Sequence, residues 1–227
     1  MKQAILKFNF KFKSKDFFVS SKNALAFDLI ERWPNWNSQL AFIYGPQKCG
    51  KTSISKIWQE KSNAKFLKAN SLFDVMSDHI SVNKINDQNW IIDDIDSLIE
   101  NKKTLSSERI LNFINILQTS RNSFLLMTAK KPPKFILTKL NDLLSRISAS
   151  LVIQVEEPDH QLICKIIEKY LKDRNIFIEK RHLDYISNRI ERSYKSSLKI
   201  AKLIDNISLQ SHSKITFSFL KNLINNS

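Results

Sequence analysis

Gly45-Pro46-Gln47-Lys48-Cys49-Gly50-Lys51-Thr52 is the stretch that indicates the fold of this 227-residue chain. It contains both glycines of the sequence and follows the pattern G-x-x-x-x-G-K-[ST] of a phosphate-binding P-loop. Such a loop turns backbone N–H groups toward phosphate oxygens, which requires positive φ angles and a close backbone approach that a Cβ would prevent. Glycine meets both requirements, so we predict that this stretch binds a di- or triphosphate.

The last residues of the loop have distinct predicted roles. The ammonium group of Lys51 would contact the β- and γ-phosphates, and the hydroxyl of Thr52 would bind Mg²⁺. Cys49 stands at a variable position of the pattern, so we expect it to fill space and not to act as a nucleophile. The residues predicted to contact the cofactor in this region are Gly45, Pro46, Gln47, Lys48, Cys49, Gly50, Lys51, Thr52 and Ser53.

The residues on either side of the loop predict a strand before it and a helix after it. Residues 40–44 form an apolar run of strand length. Ile54, Ile57 and Trp58 then follow at the i, i+3 and i+4 spacing of one helix face. This order of strand, loop and helix is the one that a P-loop requires, because the helix directs its positive N-terminal end at the phosphates.

A second motif, Trp90-Ile91-Ile92-Asp93-Asp94, combines a buried parallel strand with an acidic end. Nucleoside triphosphatases of the P-loop type need such an acidic strand end beside the loop. Asp93 is predicted to hold Mg²⁺ through a water molecule. Asp94 is predicted to be the catalytic base or the residue that orients the attacking water.

Along the chain, strand-like runs alternate with helical patterns and then give way to helices alone. The runs lie near 40–44, 64–67, 89–93, 123–128 and 151–155, and helical patterns lie at 51–61, 104–121 and 137–145. This alternation predicts a five-stranded parallel sheet with helices on both faces. Later helical patterns cover 159–173, 179–190, 193–208 and 216–224. We predict an α/β nucleotide-binding domain over 15–156 and a small all-helical lid domain over 157–227, which is the layout of AAA+ P-loop NTPases.

Composition limits the class of protein. Hydrophobic residues make up 42% and charged residues 26%, which is typical of a globular chain. Two cysteines are too few for a disulfide framework or a four-cysteine zinc site, and the four histidines show no metal-ligand spacing. The two cysteines fit a reducing cytoplasm, and no apolar run reaches the roughly 20 residues of a membrane helix, so we expect a cytoplasmic protein without a membrane partner; that it is bacterial is implied by the resemblance given below. The net charge of +14 fits either a solvated basic surface or a patch that meets a polyanion.

Several segments in a fixed order resemble the AAA+ domain of the DnaA family of replication initiators, and more closely its shortened Hda branch. Residues 16–26 resemble the nucleotide-base box of the family, and residues 30–36 resemble the Hda branch in particular. Four later segments then follow in the same order as in the family. They are the double aspartate, the strand followed by Pro132-Pro133, the Ser145-Arg146 pair and Glu157-Pro158-Asp159. The resemblance covers nearly the whole chain.

The resemblance implies further site residues. Val19 and Asn23 would contact the nucleotide base, and Thr128 takes the sensor 1 position near the γ-phosphate. Arg146 takes the position of an arginine finger, which acts in trans on a nucleotide held by a neighbouring subunit. Lys195 occupies the sensor 2 position, where the family has arginine, and Lys130 replaces a usual acidic residue. These two departures predict weak hydrolysis by the chain itself and leave nucleotide binding intact.

The implied function is that of a nucleotide-binding regulator that represses re-initiation of chromosomal replication. Its cofactors would be ADP or ATP with Mg²⁺. Its partners would be the DnaA initiator, whose ATP hydrolysis it stimulates, the β sliding clamp of DNA polymerase III, DNA indirectly through the clamp, and a second copy in a homo-oligomer. Because the chain ends at Ser227 after the lid, we expect it to lack the helix-turn-helix domain with which DnaA reads DNA.

The N-terminal residues 1–14 have two interpretations. In one they are a flexible tail in which Gln3, Leu6 and Phe8 resemble the short peptide that bacterial proteins insert into the sliding clamp. In the other they are an edge strand, because apolar residues alternate with polar ones from Leu6 to Lys13.

Two other functions remain open from the residues. One is an autonomous ATPase that loads or remodels a DNA-bound replication complex, which the basic charge and Asp94 would suit. The other is a small-molecule kinase, which would need a substrate pocket and arginines in its lid and which does not fit the DnaA-like order of the segments.

Overall fold

A computed structural model describes residues 17–67, 85, 87–100, 104–120, 122–211 and 215–225. The predicted tail over 1–14, with Gln3, Leu6 and Phe8, lies outside the described residues. Within the described part, the chain folds into a sheet with helices on both faces, followed by a group of helices.

Five strands form one parallel sheet, as the alternation of the sequence predicts. They are β1 (Leu40–Tyr44), β2 (Lys65–Phe66), β3 (Trp90–Ile92), β4 (Leu125–Ala129) and β5 (Leu151–Gln154). Their order across the sheet is β2-β3-β4-β1-β5, and each neighbouring pair is parallel. Strand β1, which leads into the P-loop, therefore lies between β4 and β5, so two other strand ends flank the loop.

Nine α-helices and one short 3₁₀ turn connect and follow the strands in the described part of the chain. The helices are α1 (Ala24–Arg32), α2 (Lys51–Ser62), α3 (Ile95–Glu100), α4 (Thr104–Thr119), α5 (Asn141–Ser148), α6 (His160–Lys172), α7 (Lys180–Ser187), α8 (Tyr194–Ser211) and α9 (Phe217–Asn225). The 3₁₀ turn covers Pro133–Phe135.

The apolar strands supply two hydrophobic cores, one on each face of the sheet, because successive strand residues point to opposite sides. In β1, Leu40 and Phe42 pack into the core that contains residues of α3, α4 and α5. Ala41 and Ile43 pack into the other core, with residues of α1 and α2. Burial on both faces of β1, β3 and β4 explains why these three strands are continuous apolar runs in the sequence, whereas β2 and β5 at the edges of the sheet are partly exposed.

The helices after β5 form a third apolar cluster of their own. Helix α6 contributes Ile163, Ile167 and Leu171 to this cluster, while Leu162 and Ile166 of the same helix pack against the sheet side. Asp159 begins α6 as its N-cap, and its carboxylate accepts a hydrogen bond of 2.7 Å from the backbone N–H of Leu162. Helix α6 thus joins the helical group to the core that lies under the P-loop.

The structure differs from the sequence-based helices in three places. Helix α1 was not predicted, although Ala26, Leu29 and Ile30 are buried at helical spacing. Helix α3 has only six residues, too few to show a clear period. The helix expected over 137–145 begins at Asn141 instead, because Ile136 and Leu140 have extended backbone angles that a helix does not allow, and Leu137 is 71% exposed.

None of the helices in the described part of the chain is long and apolar enough to span a membrane.

The N-cap of α6 gives a stability prediction. Replacing Asp159 with alanine removes the acceptor for the Leu162 N–H and should lower the free energy of unfolding by about 1 kcal/mol, measured by urea denaturation. Asp173→Ala is the control at the C-terminal end of the same helix. A negative charge there interacts unfavourably with the helix dipole, so its removal should not lower the free energy of unfolding. An equal loss in both variants would contradict the capping role of Asp159.

Candidate functional site

The P-loop requires its two glycines for different reasons. A Cβ added to Gly45 would lie 2.0 Å from the carbonyl oxygen of Val155, so only glycine fits where the loop passes the end of β5. Gly50 has a φ of 109°, which side chains rarely tolerate, and it stands immediately before α2. The loop is therefore held against the sheet at its start and turned into the helix at its end.

The side chain of Lys51 lies inside the loop and is only 6% exposed. Its ammonium group donates hydrogen bonds to the carbonyl oxygens of Gly45 at 2.9 Å and Pro46 at 2.8 Å. Both acceptors are neutral, so the positive charge of Lys51 is held at the centre of the loop without being cancelled by them. A buried cation in this setting favours an anion close to it.

An acidic side chain at the end of β3 connects the loop to the neighbouring strand. Asp93 accepts a hydrogen bond of 2.9 Å from the hydroxyl of Thr52, and its other carboxylate oxygen accepts one from the hydroxyl of Thr128. The backbone N–H of Asp94 in turn donates to the Thr128 hydroxyl at 3.0 Å. The structure thus brings together the two residues predicted to hold Mg²⁺ and the predicted sensor residue of β4.

Asp94 itself is exposed and has a φ of 54°, the left-handed conformation that aspartate tolerates better than most residues. This turn directs the chain away from β3 into α3 and leaves the Asp94 side chain at the wall of the cavity described below. Asp96, two residues further along the chain, is 2% exposed and accepts a hydrogen bond of 2.9 Å from the backbone N–H of Lys130. The ends of β3 and β4 are therefore fixed to each other on the side of the loop.

The outer part of the loop contacts the helical group. Lys48 forms an ion pair with Glu191, with nitrogen–oxygen distances of 2.8 and 2.9 Å, and its backbone carbonyl accepts a hydrogen bond of 3.4 Å from the N–H of Tyr194. Glu191 also accepts from the hydroxyl of Ser196 at 3.1 Å. These hydrogen bonds lower the pKa of Glu191 below its ordinary value, that from Lys48 most strongly.

Tyr194 also holds the segment that resembles a nucleotide-base box. Its hydroxyl accepts a hydrogen bond of 3.2 Å from the N–H of Phe18, and its ring stacks on Phe17. Asn23 is 3% exposed and bonds to backbone atoms of Phe18 and Ser20, whereas Val19 is 44% exposed. Asn23 therefore shapes this segment from within, and the segment lies beside the loop and α8.

A cavity of about 490 Å³ opens between the loop, the end of β3 and the start of α8. Four lysines and one aspartate contribute its charged walls, so its field favours an anionic ligand. Its lining residues are Gln47, Lys48, Gly50, Lys51, Thr52, Ser53, Asp94, Lys130, Tyr194, Lys195 and Leu198. The predicted site residues outside this lining are Val19, Asn23, Gly45, Pro46, Cys49, Asp93, Thr128 and Arg146.

Two of these other residues have clear positions. Cys49 is 3% exposed beneath the loop, and burial raises the pKa of its thiol, so the side chain stays neutral and fills space. Arg146 is exposed on α5, away from the cavity lining, and donates a hydrogen bond of 3.0 Å to the side-chain oxygen of Gln118. Its guanidinium group is thus accessible from outside the chain.

The sequence did not identify three residues that shape this site. Tyr194 and Leu198 belong to the apolar face of α8, and the helical pattern over 193–208 was the available signal. Glu191 lies 143 residues from Lys48 and belongs to no motif, so no local pattern could indicate their ion pair.

No family model matches the chain. An uncharacterised protein of Haemophilus influenzae is 25% identical over 134 residues, covering 59% of this chain and 57% of that protein. The chromosomal replication initiator protein DnaA of Nautilia profundicola is 23% identical over 226 residues, covering 91% of this chain and 50% of that protein. The chain thus spans about half the length of these curated relatives.

Solved structures establish the fold class. Domain III of the replication initiation protein DnaA from Thermotoga maritima has a TM-score of 0.77 and 19% identity, with coverage of 95% of this chain and 96% of that domain. DnaA from Aquifex aeolicus, solved with AMPPCP, has a TM-score of 0.74 and 21% identity, covering 89% of this chain and 67% of that protein. The predicted AAA+ fold is confirmed, and the chain is similar to the DnaA AAA+ domain; nothing in these matches singles out the Hda branch.

The Lys48–Glu191 contact gives a pH prediction. Because the folded-state pKa of Glu191 is lowered, the contact stabilises the fold at pH values above the ordinary carboxyl pKa, and this contribution disappears as the pH falls through the lowered value. Lys48→Met should return the pKa of Glu191 toward its ordinary value, measured by NMR titration of side-chain carboxyl carbons. Ser196→Ala should produce a smaller rise, and an unchanged Glu191 pKa in Lys48→Met would contradict the contact.

Proposed function

We propose that this chain is a DnaA-related regulator that binds ATP or ADP with Mg²⁺ and stimulates the hydrolysis of ATP held by a DnaA initiator. By converting that initiator to its ADP form, it represses re-initiation of chromosomal replication. One observation carries this proposal: the lysine-lined cavity is built around the P-loop, while Arg146 is exposed outside that cavity. The arrangement suits a chain that binds one nucleotide and acts on another.

The P-loop supplies the nucleotide-binding part of the proposal. Lys51 would exchange its two carbonyl acceptors for phosphate oxygens, and the backbone N–H groups at the start of α2 would bind the same phosphates. Lys48 and Lys195 add positive charge on the side of the helical group. The DnaA of Aquifex aeolicus has been solved with the ATP analogue AMPPCP, which supports a nucleoside triphosphate as the ligand.

The donor set beside Lys51 fits Mg²⁺. The Thr52 hydroxyl and the Asp93 carboxylate lie within 2.9 Å of each other at the edge of the cavity, and both are hard oxygen ligands. Thr52 would bind the ion directly and Asp93 through a water molecule. When bound, Mg²⁺ supplies positive charge that offsets the charge of the phosphates.

Two lysines in the cavity support the proposal that the chain itself hydrolyses ATP only weakly. Lys195 stands at the position of the sensor 2 arginine of the family, and it cannot form the two parallel hydrogen bonds of a guanidinium group. Lys130 lines the cavity on the side of Asp94, and its ammonium group donates to Ser97 at 2.9 Å. Asp94 is the base or water-orienting residue in the proposal, and Thr128 fixes its backbone.

Arg146 supplies the proposed action on a partner. An arginine finger reaches the nucleotide of a neighbouring subunit and stabilises charge on the transferred phosphoryl group. This role requires a guanidinium group that is accessible from outside. Arg146 is exposed, and within the described residues its guanidinium group is bonded to the neutral side chain of Gln118 and forms no ion pair with a carboxylate. The neighbour in this proposal is a DnaA protein, and contacts between copies of this chain would use the same face.

Arginine removal separates binding from stimulation. Arg146→Ala should retain ATP and ADP affinity but abolish the stimulation of DnaA ATP hydrolysis, because an arginine finger contributes on the order of 10³-fold or more to the rate. The assay measures hydrolysis of radiolabelled ATP pre-bound to DnaA, with the sliding clamp loaded on DNA. Arg32→Ala, which removes another exposed arginine paired with Asp28, should behave as the unmodified chain.

Lys51→Ala completes this experiment, since it should weaken nucleotide binding by about 10- to 100-fold through loss of a charge-assisted contact. Full stimulation by Arg146→Ala would contradict the trans role, whereas unchanged nucleotide affinity in Lys51→Ala would contradict the proposed binding site.

A second candidate is an autonomous ATPase that loads or remodels a DNA-bound replication complex. The exposed Asp94 carboxylate at the cavity wall and the net charge of +14 favour it. This function predicts steady-state ATP hydrolysis by the chain alone that rises on addition of DNA and falls in Asp94→Asn. The regulator proposal predicts little hydrolysis without DnaA.

Residues 1–14 are the proposed binding peptide for the β sliding clamp. Gln3→Ala combined with Phe8→Ala should abolish binding to the β sliding clamp, because the peptide would lose its polar contact and an apolar anchor. Surface plasmon resonance with immobilised clamp measures this, and Lys7→Ala is the control within the same tail. Clamp binding that survives the double substitution would favour the edge-strand interpretation.

A further inference from the structure

Helices α6 and α7, both in the helical group, bring together three side chains of types that bind metal ions. His160 and Cys164 are four residues apart in α6 and therefore share one face of that helix, and Asp184 lies on the adjacent α7. All three are half-buried. The sequence concealed this grouping, because the third member is 20 residues beyond the second in the numbering of the chain.

The distances between the three groups are close to those between ligands of one tetrahedral metal ion. The Cys164 sulfur lies 3.9 Å from Nδ1 and 4.0 Å from Nε2 of His160, and His160 Nε2 lies 3.4 Å from a carboxylate oxygen of Asp184. All three ligand atoms fall within 4.8 Å of one another. Tetrahedral Zn²⁺ separates a nitrogen and an oxygen ligand by about 3.3 Å and a sulfur and a nitrogen ligand by about 3.6 Å.

A cavity of about 290 Å³ opens directly beside the three side chains and leaves room for a fourth ligand. Glu168, one helical turn beyond Cys164, lines the same cavity. The positively charged side chains of Lys165 and Lys180 line it as well. Burial raises the pKa of the Cys164 thiol above its ordinary value, and the carboxylates of Asp184 and Glu168 raise this pKa further by a smaller amount. The thiol is therefore protonated at neutral pH until an ion binds.

We propose that His160, Cys164 and Asp184 bind a divalent transition-metal ion, with Zn²⁺ as the ion and water as the fourth ligand. Imidazole, thiolate and carboxylate are all zinc ligands, and a thiolate selects against Mg²⁺. Binding releases the thiol proton to solvent and gives a neutral site, in which the +2 ion is balanced by one thiolate and one carboxylate. The ion joins α6 to α7 and so fixes part of the helical group.

This inference is independent of the proposed function and of the P-loop. The test uses the full chain stripped of metal with EDTA and titrated with Co²⁺ in millimolar Mg²⁺, which occupies oxygen sites. We expect one Co²⁺ per chain, a thiolate-to-cobalt charge-transfer absorption in the near ultraviolet, and displacement of the Co²⁺ by one Zn²⁺. Calorimetry in two buffers should show about one proton released per Zn²⁺ at pH 7.

Variants identify the ligands. Cys164→Ser should lose the charge-transfer absorption, whereas Cys49→Ser, which removes the other thiol, should keep it. His160→Gln and Asp184→Asn should each weaken Zn²⁺ binding by about 10-fold or more. Circular dichroism in EDTA shows that each variant is folded, since none of these changes should alter the metal-free spectrum. Absence of the absorption in the unmodified chain, or its persistence in Cys164→Ser, would overturn the proposal.

Discussion

The close approach of Gly45 to Val155 is the constraint on which the rest of the site depends. The N–H of Gly45 bonds to Ala129 of β4, and the N–H of Val155 bonds to Tyr44 of β1, so the loop begins where three strand ends are fastened together. No side chain fits at Gly45, and the backbone of the loop lies directly on the sheet. From this position the loop carbonyls hold the ammonium group of Lys51, and α2 begins directly after Gly50.

The same loop is the junction between the sheet and the helical group. Lys48 extends from its outer side to Glu191, and Tyr194 connects the loop to the segment around Phe18. A ligand that draws Lys48 toward phosphate must compete with Glu191 for its ammonium group. Lys48 thus connects the rim of the cavity to the helical group through one ion pair.

The acidic strand end organises the opposite side of the cavity. Asp93 links Thr52 of α2 to Thr128 of β4, so two hydrogen bonds connect the start of α2 to the neighbouring strand. Lys130 and Lys195 give this cavity more positive charge than its single aspartate offsets. This excess of positive charge suits an anionic ligand, and neither lysine can form the two parallel hydrogen bonds of a guanidinium group.

The sequence by itself determined the P-loop, the acidic strand end and the parallel sheet, because each is written in residues that are close neighbours and depends on a local period or a local conformation. It also indicated Arg146, through resemblance alone. Only the tertiary structure decided that Lys48 meets Glu191, that Tyr194 holds Phe18, and that His160 and Cys164 face Asp184. These contacts join residues far apart in the chain, or on separate helices, and packing fixes which side chains meet.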